Sequence, residues 1–186
     1  MALLIIGLCL WAAIHLLPSA GRGIREAVIA RTGFDAYRGL FSVAILGSLA
    51  LIVFGWRQST PEYFYVPSET LRSVAIATMA VSFVLLGASG RATRIGRVVR
   101  HPQLTGILVW SLAHLMANGD SRSLVLFGGM GIWSVLSMIL INRRDGDWIK
   151  PEAPSVAKEL IGVILSLVVM ALVMLAHPWI AGMPLF

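Results

Sequence analysis

Two of the four histidines in this chain, His15 and His114, lie inside runs of residues apolar enough to cross a membrane. An ionisable side chain is costly to place at membrane depth, so it normally faces the protein interior and marks a functional site. His101 and His177 each precede a proline near the end of an apolar run, where a hydrated histidine costs little. Because imidazole serves both as a metal ligand and as an acid or base, His15 and His114 are the first candidates for chemistry.

His114 shares one face of its predicted helix with other polar side chains. At 100° per residue, Gln103, Ser111 and Asn118 fall within roughly 80° of His114, whereas Thr105 points about the opposite way. A polar row on an otherwise apolar helix predicts that this face is turned toward the protein interior. Ser111 and Asn118 are therefore candidate cofactor-binding residues beside His114.

The depths of the two histidines are suggestive of a haem. At 1.5 Å per residue, His15 lies ~21 Å from the outer end of its helix and His114 about 20 Å from the inner end of its own. In a bilayer core of ~30 Å, the depths of the two histidines then differ by roughly 10 Å. If the two helices pack directly, at about 8 to 10 Å, the two Cα atoms are about 13 Å apart. This is too far for a shared zinc ion but suits two axial ligands of a haem iron. Either histidine could equally be a packed core residue, since Trp11 and Trp110 each lie one turn away.

The composition identifies the elements that must position these residues. With 58% hydrophobic and only 13% charged residues, the chain is too apolar for a soluble globular domain. We predict an all-α, polytopic membrane helix bundle forming one domain over residues 1–186. Its six predicted spans are Ala2 to Leu17, Leu40 to Trp56, Leu71 to Ala88, Pro102 to Asn118, Leu124 to Asn142 and Leu160 to Trp179, each near the ~20 residues that a bilayer requires.

The net charge of +6 is explained by topology rather than by nucleic acid, which we do not expect as a partner. Twelve of the fifteen basic residues fall in the first, third and fifth connections (18–39, 89–101 and 143–159). The positive-inside rule then places these connections in the cytoplasm and both termini outside. We expect a multi-pass protein of the bacterial inner membrane in contact with anionic lipid, its first span retained rather than cleaved as a signal peptide.

Other catalytic arrangements are poorly supported. No acidic residue lies within a predicted span, and Asp145 and Asp147 belong to a basic turn that reads as a salt-bridged helix end. Cys9 is the single cysteine, which excludes an intrachain disulfide. The small residues Gly128, Gly129, Gly131, Gly162 and Ser166 predict close helix packing rather than chemistry.

The segments Arg100-His101-Pro102-Gln103-Leu104, Trp110-Ser111-Leu112-Ala113-His114 and Ala117-Asn118-Gly119-Asp120 resemble the NnrU family of polytopic membrane proteins. His15 and Leu126-Phe127-Gly128-Gly129 extend the resemblance over nearly the whole chain. It implies an association with denitrification or, as in the related plant 15-cis-zeta-carotene isomerase, haem-dependent isomerisation of an apolar polyene. By position it implicates His15 and His114 as the metal ligands of a haem b. Ser111 stands where that isomerase has a cysteine.

A second resemblance concerns Arg100, His101 and Pro102. They are similar to a motif of the isoprenylcysteine carboxyl methyltransferases, membrane enzymes in which this motif helps to bind S-adenosylmethionine. At a helix N-terminus, Arg100 and His101 are candidates for holding an anionic group or cofactor. Those enzymes place a glutamate pair after a later basic residue, whereas this chain has Asp145-Gly146-Asp147 after Arg144. A methyltransferase-like enzyme and a non-enzymatic assembly factor are therefore the alternatives to a haem-dependent, isomerase-like protein.

Overall fold

A computed structural model describes residues 1–182, which form seven α-helices, a short 3₁₀ turn at Ile95–Arg97 and no β-strand. The α-helices are α1 (Ala2–Ala20), α2 (Arg22–Thr32), α3 (Phe34–Gln58), α4 (Glu69–Gly87), α5 (Pro102–Ala117), α6 (Ser121–Asp145) and α7 (Val156–Ala181). The predicted all-α class is confirmed. Residues 183–186, which belong to the predicted domain, lie outside the described range.

Five of these helices, α1, α3, α4, α6 and α7, are long and apolar enough to cross a membrane. Many of their large apolar side chains are exposed, as expected of surfaces that face lipid. The fourth predicted span corresponds to α5, which has 16 residues and rises only about 24 Å. The chain is thus a multi-pass membrane protein with five long candidate spans and one shorter helix packed among them.

The structure differs from the sequence prediction in the first connection. The first span was predicted to end at Leu17, but α1 continues past Pro18 to Ala20, and the amide of Gly21 still bonds the carbonyl oxygen of Leu17 at 2.9 Å. A proline so near the end removes one helical hydrogen bond without breaking the last turn. The next residues form α2, an 11-residue helix with no buried residue that lacks an apolar run long enough to be recognised as a span.

The helices pack in the spatial order α3, α1, α6, α5, α4, α7, with α2 against α1 and α3. The 13 Å estimate for His15 and His114 assumed direct packing of their two helices. Instead, α1 and α5 are joined through α6, which contacts both. Helix α6 is consequently the element that positions both histidines.

Contacts between connections show that the two ends of the bundle alternate as the charge pattern predicts. At one end, an Arg144 guanidinium nitrogen donates to the Ser19 hydroxyl at 3.1 Å, and Arg97 reaches the carbonyl oxygen of Pro151 at 3.4 Å. At the other end, Tyr63 pairs with Asp120 in an isolated antiparallel bridge. The three basic connections therefore lie at one end of the bundle.

Candidate functional site

His15 lies in an aromatic pocket built by three helices. Its ring centroid is 4.0 Å from that of Trp11 on α1, 5.6 Å from Trp133 on α6 and 5.9 Å from Phe41 on α3. The Nδ1 atom is 2.9 Å from the carbonyl oxygen of Trp11, one turn back in the same helix. The imidazole is half-buried and its plane is fixed by this bond and by its neighbours.

His114 has a closely similar environment on α5. Its ring stacks on Phe127 of α6, with centroids 4.3 Å apart and planes 24° apart, and lies 4.5 Å from the Trp110 ring. Its Nδ1 atom is 2.9 Å from the carbonyl oxygen of Trp110, again one turn back. The pairing of each histidine with the tryptophan four residues earlier is thus the same at both positions.

These contacts determine the protonation pattern of a neutral imidazole at each site. A carbonyl oxygen can only accept a hydrogen bond, so Nδ1 must carry the ring proton. Its N–H donates to the carbonyl oxygen of Trp11 in His15 and of Trp110 in His114. The Nε2 atom then keeps its lone pair, and among residues 1–182 neither Nε2 atom has a hydrogen-bond partner. Metal-bound histidines are commonly held in this way, with one ring nitrogen fixed and the other available to the metal.

Both imidazoles contact side chains of α6. His114 contacts Phe127 and His15 contacts Trp133, with Met130 between them at three-residue spacing. Six residues correspond to ~9 Å of rise and to faces about 120° apart. The structure therefore brings both histidines into contact with one helix, but no ring contact between them occurs in the described residues.

The polar row on α5 is only partly a site. Ser111 is 1% exposed and packs toward Gly131 of α6, and its hydroxyl oxygen has no hydrogen-bond partner within residues 1–182. Asn118 donates from its side-chain amide to the carbonyl oxygen of His114 at 2.9 Å, which satisfies the end of the helix. Gln103 is exposed. Of the row, Ser111 retains an uncommitted polar atom near His114.

Two further uncommitted polar groups on α6 were not singled out from the sequence. The indole nitrogen of Trp133 and the hydroxyl oxygen of Ser137 are buried without hydrogen-bond partners among the described residues. They lie one turn apart, on the helix face that also carries Met130. A buried donor without an acceptor costs about 1 to 3 kcal/mol, so both favour an acceptor group in this region. In the sequence, the only sign of this pair is that a tryptophan and a serine lie four residues apart, and so on one face, in an otherwise apolar helix.

Arg100 and His101 lie at the other end of α5 from His114. His101 is thirteen residues before His114, which corresponds to about 20 Å along the helix. His101 precedes Pro102, which begins α5, and its Nε2 atom is 2.8 Å from the side-chain oxygen of Asn142 near the end of α6. Arg144 pairs with Asp145 at 2.6 Å, confirming a salt-bridged helix end. These residues form a separate group, which the structure does not join to the two deep histidines.

The opposite end of the bundle is closed over His114 by the connection between α3 and α4. The Tyr65 hydroxyl donates to the carbonyl oxygen of Leu115, and the amide of Phe64 bonds the Gly119 carbonyl oxygen at 2.7 Å. Desolvation of the phenol, aided by the negative charge of Asp120, raises the pKa of Tyr65 above its ordinary value of 10.0. The phenol therefore remains a hydrogen-bond donor at neutral pH.

Within the described residues, no group of three or more histidine, cysteine, aspartate or glutamate side chains is placed to hold a bare metal ion. Comparison with curated proteins and with solved structures gave no significant match. The family model described as NnrU protein matches residues 3–185, nearly the whole chain. On this match, the chain belongs to the NnrU family.

Proposed function

We propose that this NnrU protein binds haem b in the membrane through His15 and His114. The observation that carries the proposal is the matched state of the two imidazoles. Each donates a hydrogen bond from Nδ1–H to a carbonyl oxygen of its own helix and leaves Nε2 available, and both contact α6, His114 through Phe127 and His15 through Trp133. A bis-histidine haem protein needs two such ligands in an apolar surrounding.

The remaining polar atoms of the region fit the same cofactor. A haem b carries two carboxylate groups, which accept hydrogen bonds, and Trp133 and Ser137 offer buried donors that lack acceptors among residues 1–182. Ser111, whose hydroxyl is uncommitted near His114, is a third candidate contact. The chain therefore supplies both ligand atoms and donors of the required kind, while Asn118 acts by ending α5 under His114.

When bound, the haem would supply a Lewis-acidic or one-electron centre, and the protein would hold and orient it. Residues near the two histidines are chiefly aromatic and apolar, including Trp11, Trp110, Phe41 and Phe127. Such surroundings suit an apolar polyene or lipid-like substrate, and the family resemblance supports isomerisation or a role in denitrification. We place this function in the bacterial cytoplasmic membrane.

An absorbance spectrum of protein produced with ample haem tests the proposal directly. The parent should show a Soret band, and His15→Gly and His114→Gly should each shift or abolish it. Added imidazole should restore the band in either variant, because it replaces the missing ligand. His101→Gly is the matched control and should keep the parent spectrum, since His101 is bonded to Asn142 at the end of α5.

His177 is a less suitable control, because it lies close enough to His114 for their charges to interact. A folded parent without a Soret band would disprove haem binding, and unchanged spectra in both glycine variants would disprove these ligands. Saturable S-adenosylmethionine binding lost in Arg100→Ala would instead support the methyltransferase alternative.

A further inference from the structure

A groove between α4 and α7 opens on the lipid-facing side of the bundle, away from the two deep histidines. Its walls are formed by Phe83 and Leu86 of α4 and by Ile161, Leu165 and Val169 of α7, and its volume is about 610 Å³. Ile161 and Leu165 are more than half exposed, so the groove faces the bilayer rather than the protein core. Its lining is almost wholly apolar, as a hydrocarbon chain requires.

A single cationic side chain, Arg91, lies at one end of this groove. Its Nε–H donates to the carbonyl oxygen of Gly87 at 3.1 Å, which directs the side chain across to α7. The guanidinium group lies directly over Gly162, where an added Cβ would collide with it. The absence of a side chain at Gly162 is therefore what allows the guanidinium group to reach the groove.

The Arg91 guanidinium group forms no ion pair within 4 Å among residues 1–182. Within residues 1–182, its two terminal nitrogens have no hydrogen-bond or ion-pair partner. Glu159, one turn before Gly162 on α7, is already engaged: its two carboxylate oxygens accept from the backbone amides of Arg94 and Ile95 at 3.0 and 3.3 Å. Glu159 thus holds the connection against α7 and leaves Arg91 with free donors for an external anion.

From this arrangement we infer that the α4–α7 groove binds one phospholipid with an anionic headgroup. An acyl chain occupies the groove between Phe83 and Val169, and the headgroup phosphate accepts hydrogen bonds from the terminal nitrogens of Arg91. Charge complementarity selects this occupant, because basic residues at a membrane boundary attract anionic lipid and a guanidinium group matches the geometry of a phosphate.

Two other occupants fit the observations less well. A spanning helix from a second copy of the chain would fill the apolar groove, but no acidic residue lies within a predicted span to pair with the guanidinium group of Arg91. A free phosphate ion would satisfy Arg91 but would leave the apolar length of the groove unexplained. Both remain distinguishable in the experiment below.

Native mass spectrometry of the purified protein with added phosphatidylglycerol tests the inference. The parent should retain one tightly held lipid, and Arg91→Gln should weaken its apparent affinity about five-fold or more, since a basic residue at the membrane surface contributes roughly that factor. Arg97→Gln is the matched control, because it removes the same charge from the same connection outside the groove. Its affinity should stay within two-fold of the parent.

A second variant, Leu165→Trp, keeps the charge but narrows the groove at an exposed position and should also weaken the lipid adduct. It decides the outcome if Arg91→Gln fails to fold by circular dichroism. Equal affinity in parent and folded Arg91→Gln, equal loss in Arg97→Gln, or full retention in Leu165→Trp would overturn the assignment. Displacement of the lipid by millimolar inorganic phosphate would indicate an ion site, and a dimer lost in Leu165→Trp would indicate a second copy.

Discussion

The imidazole of His114 stacks on the phenyl ring of Phe127, with 4.3 Å between centroids and 24° between planes. Phe127 is itself 7% exposed and also contacts Trp110 and Trp56, so it joins three helices at the depth of His114. The orientation of His114 therefore depends on an aromatic side chain of α6 as well as on the hydrogen bond to Trp110.

We expect Phe127→Leu to loosen the His114 ring. Loss of the stacked aromatic pair should lower the free energy of unfolding by about 1 kcal/mol. The ring protons of His114 should also lose their ring-current shift in nuclear magnetic resonance spectra. Phe54→Leu is the matched control on α3, because Phe54 is 57% exposed. Unchanged His114 resonances in Phe127→Leu would contradict the stacking.

A pair of neighbouring glycines should respond oppositely to the same substitution. A Cβ added at Gly129 would collide with the side chain of Leu8, whereas one at Gly128 would meet nothing within 4 Å. We expect Gly129→Ala to lower the free energy of unfolding by about 1 to 3 kcal/mol through overpacking of α1 on α6. Gly128→Ala should be neutral or stabilising by up to about 1 kcal/mol, since alanine favours a helix. Thermal unfolding in detergent compares the two, and equal effects would refute this account of the helix contact.

The hydrogen bond from Tyr65 should make the closed end of the bundle sensitive to alkaline pH. Because folding raises the pKa of this phenol, its stabilising contribution is complete below the unfolded value of about 10 and is lost as the pH rises through the folded value. Subtracting the ultraviolet titration of Tyr65→Phe from that of the parent isolates this group. We expect a midpoint above 10; a midpoint at or below 10 would show that the phenol is not held as described.

Labelling of introduced cysteines should establish both the orientation and the role of α5. In a Cys9→Ala background, a cysteine at Ala92 should react from the cytoplasmic side and one at Thr60 from the outside. Both positions are exposed. If α5 crosses the membrane, a cysteine at Asp147 should share the accessibility of Ala92. Opposite accessibility of Ala92 and Asp147 would exclude α5 as a sixth span.

The sequence predicted those features that depend on strong local signals. The five long spans followed from apolar runs, and the start of α5 at Pro102 followed from the preference of proline for the first helical turn. The placement of successive connections at alternate ends of the bundle followed from the distribution of the basic residues. Each of these signals lies within one helix or one connection.

What the sequence did not predict depends on which helices become neighbours. The position of α6 between α1 and α5 is decided by tertiary packing, notably the fit of Leu8 against Gly129. The burial of the Trp133 indole nitrogen and the Ser137 hydroxyl follows from that placement and not from their spacing alone. Arg91 was recognised as part of a basic connection, but its approach to α7 requires Gly162 to lie directly beneath it.

The bridge between Tyr63 and Asp120 joins two segments that the ribosome synthesises at different times, so this end of the bundle can close only after the later segment has been made. The amide of Ser121 bonds the carbonyl oxygen of Glu62 at 2.8 Å, and the amide of Phe64 bonds the carbonyl oxygen of Gly119. In each pair, one residue is synthesised well before the other. At roughly 5 to 20 residues per second, the ribosome needs about 3 to 12 s to synthesise the intervening segment. During that interval the carbonyl oxygen of Glu62 and the amide of Phe64 lack these partners, and their final hydrogen bonds form only once the turn leading into α6 has been made.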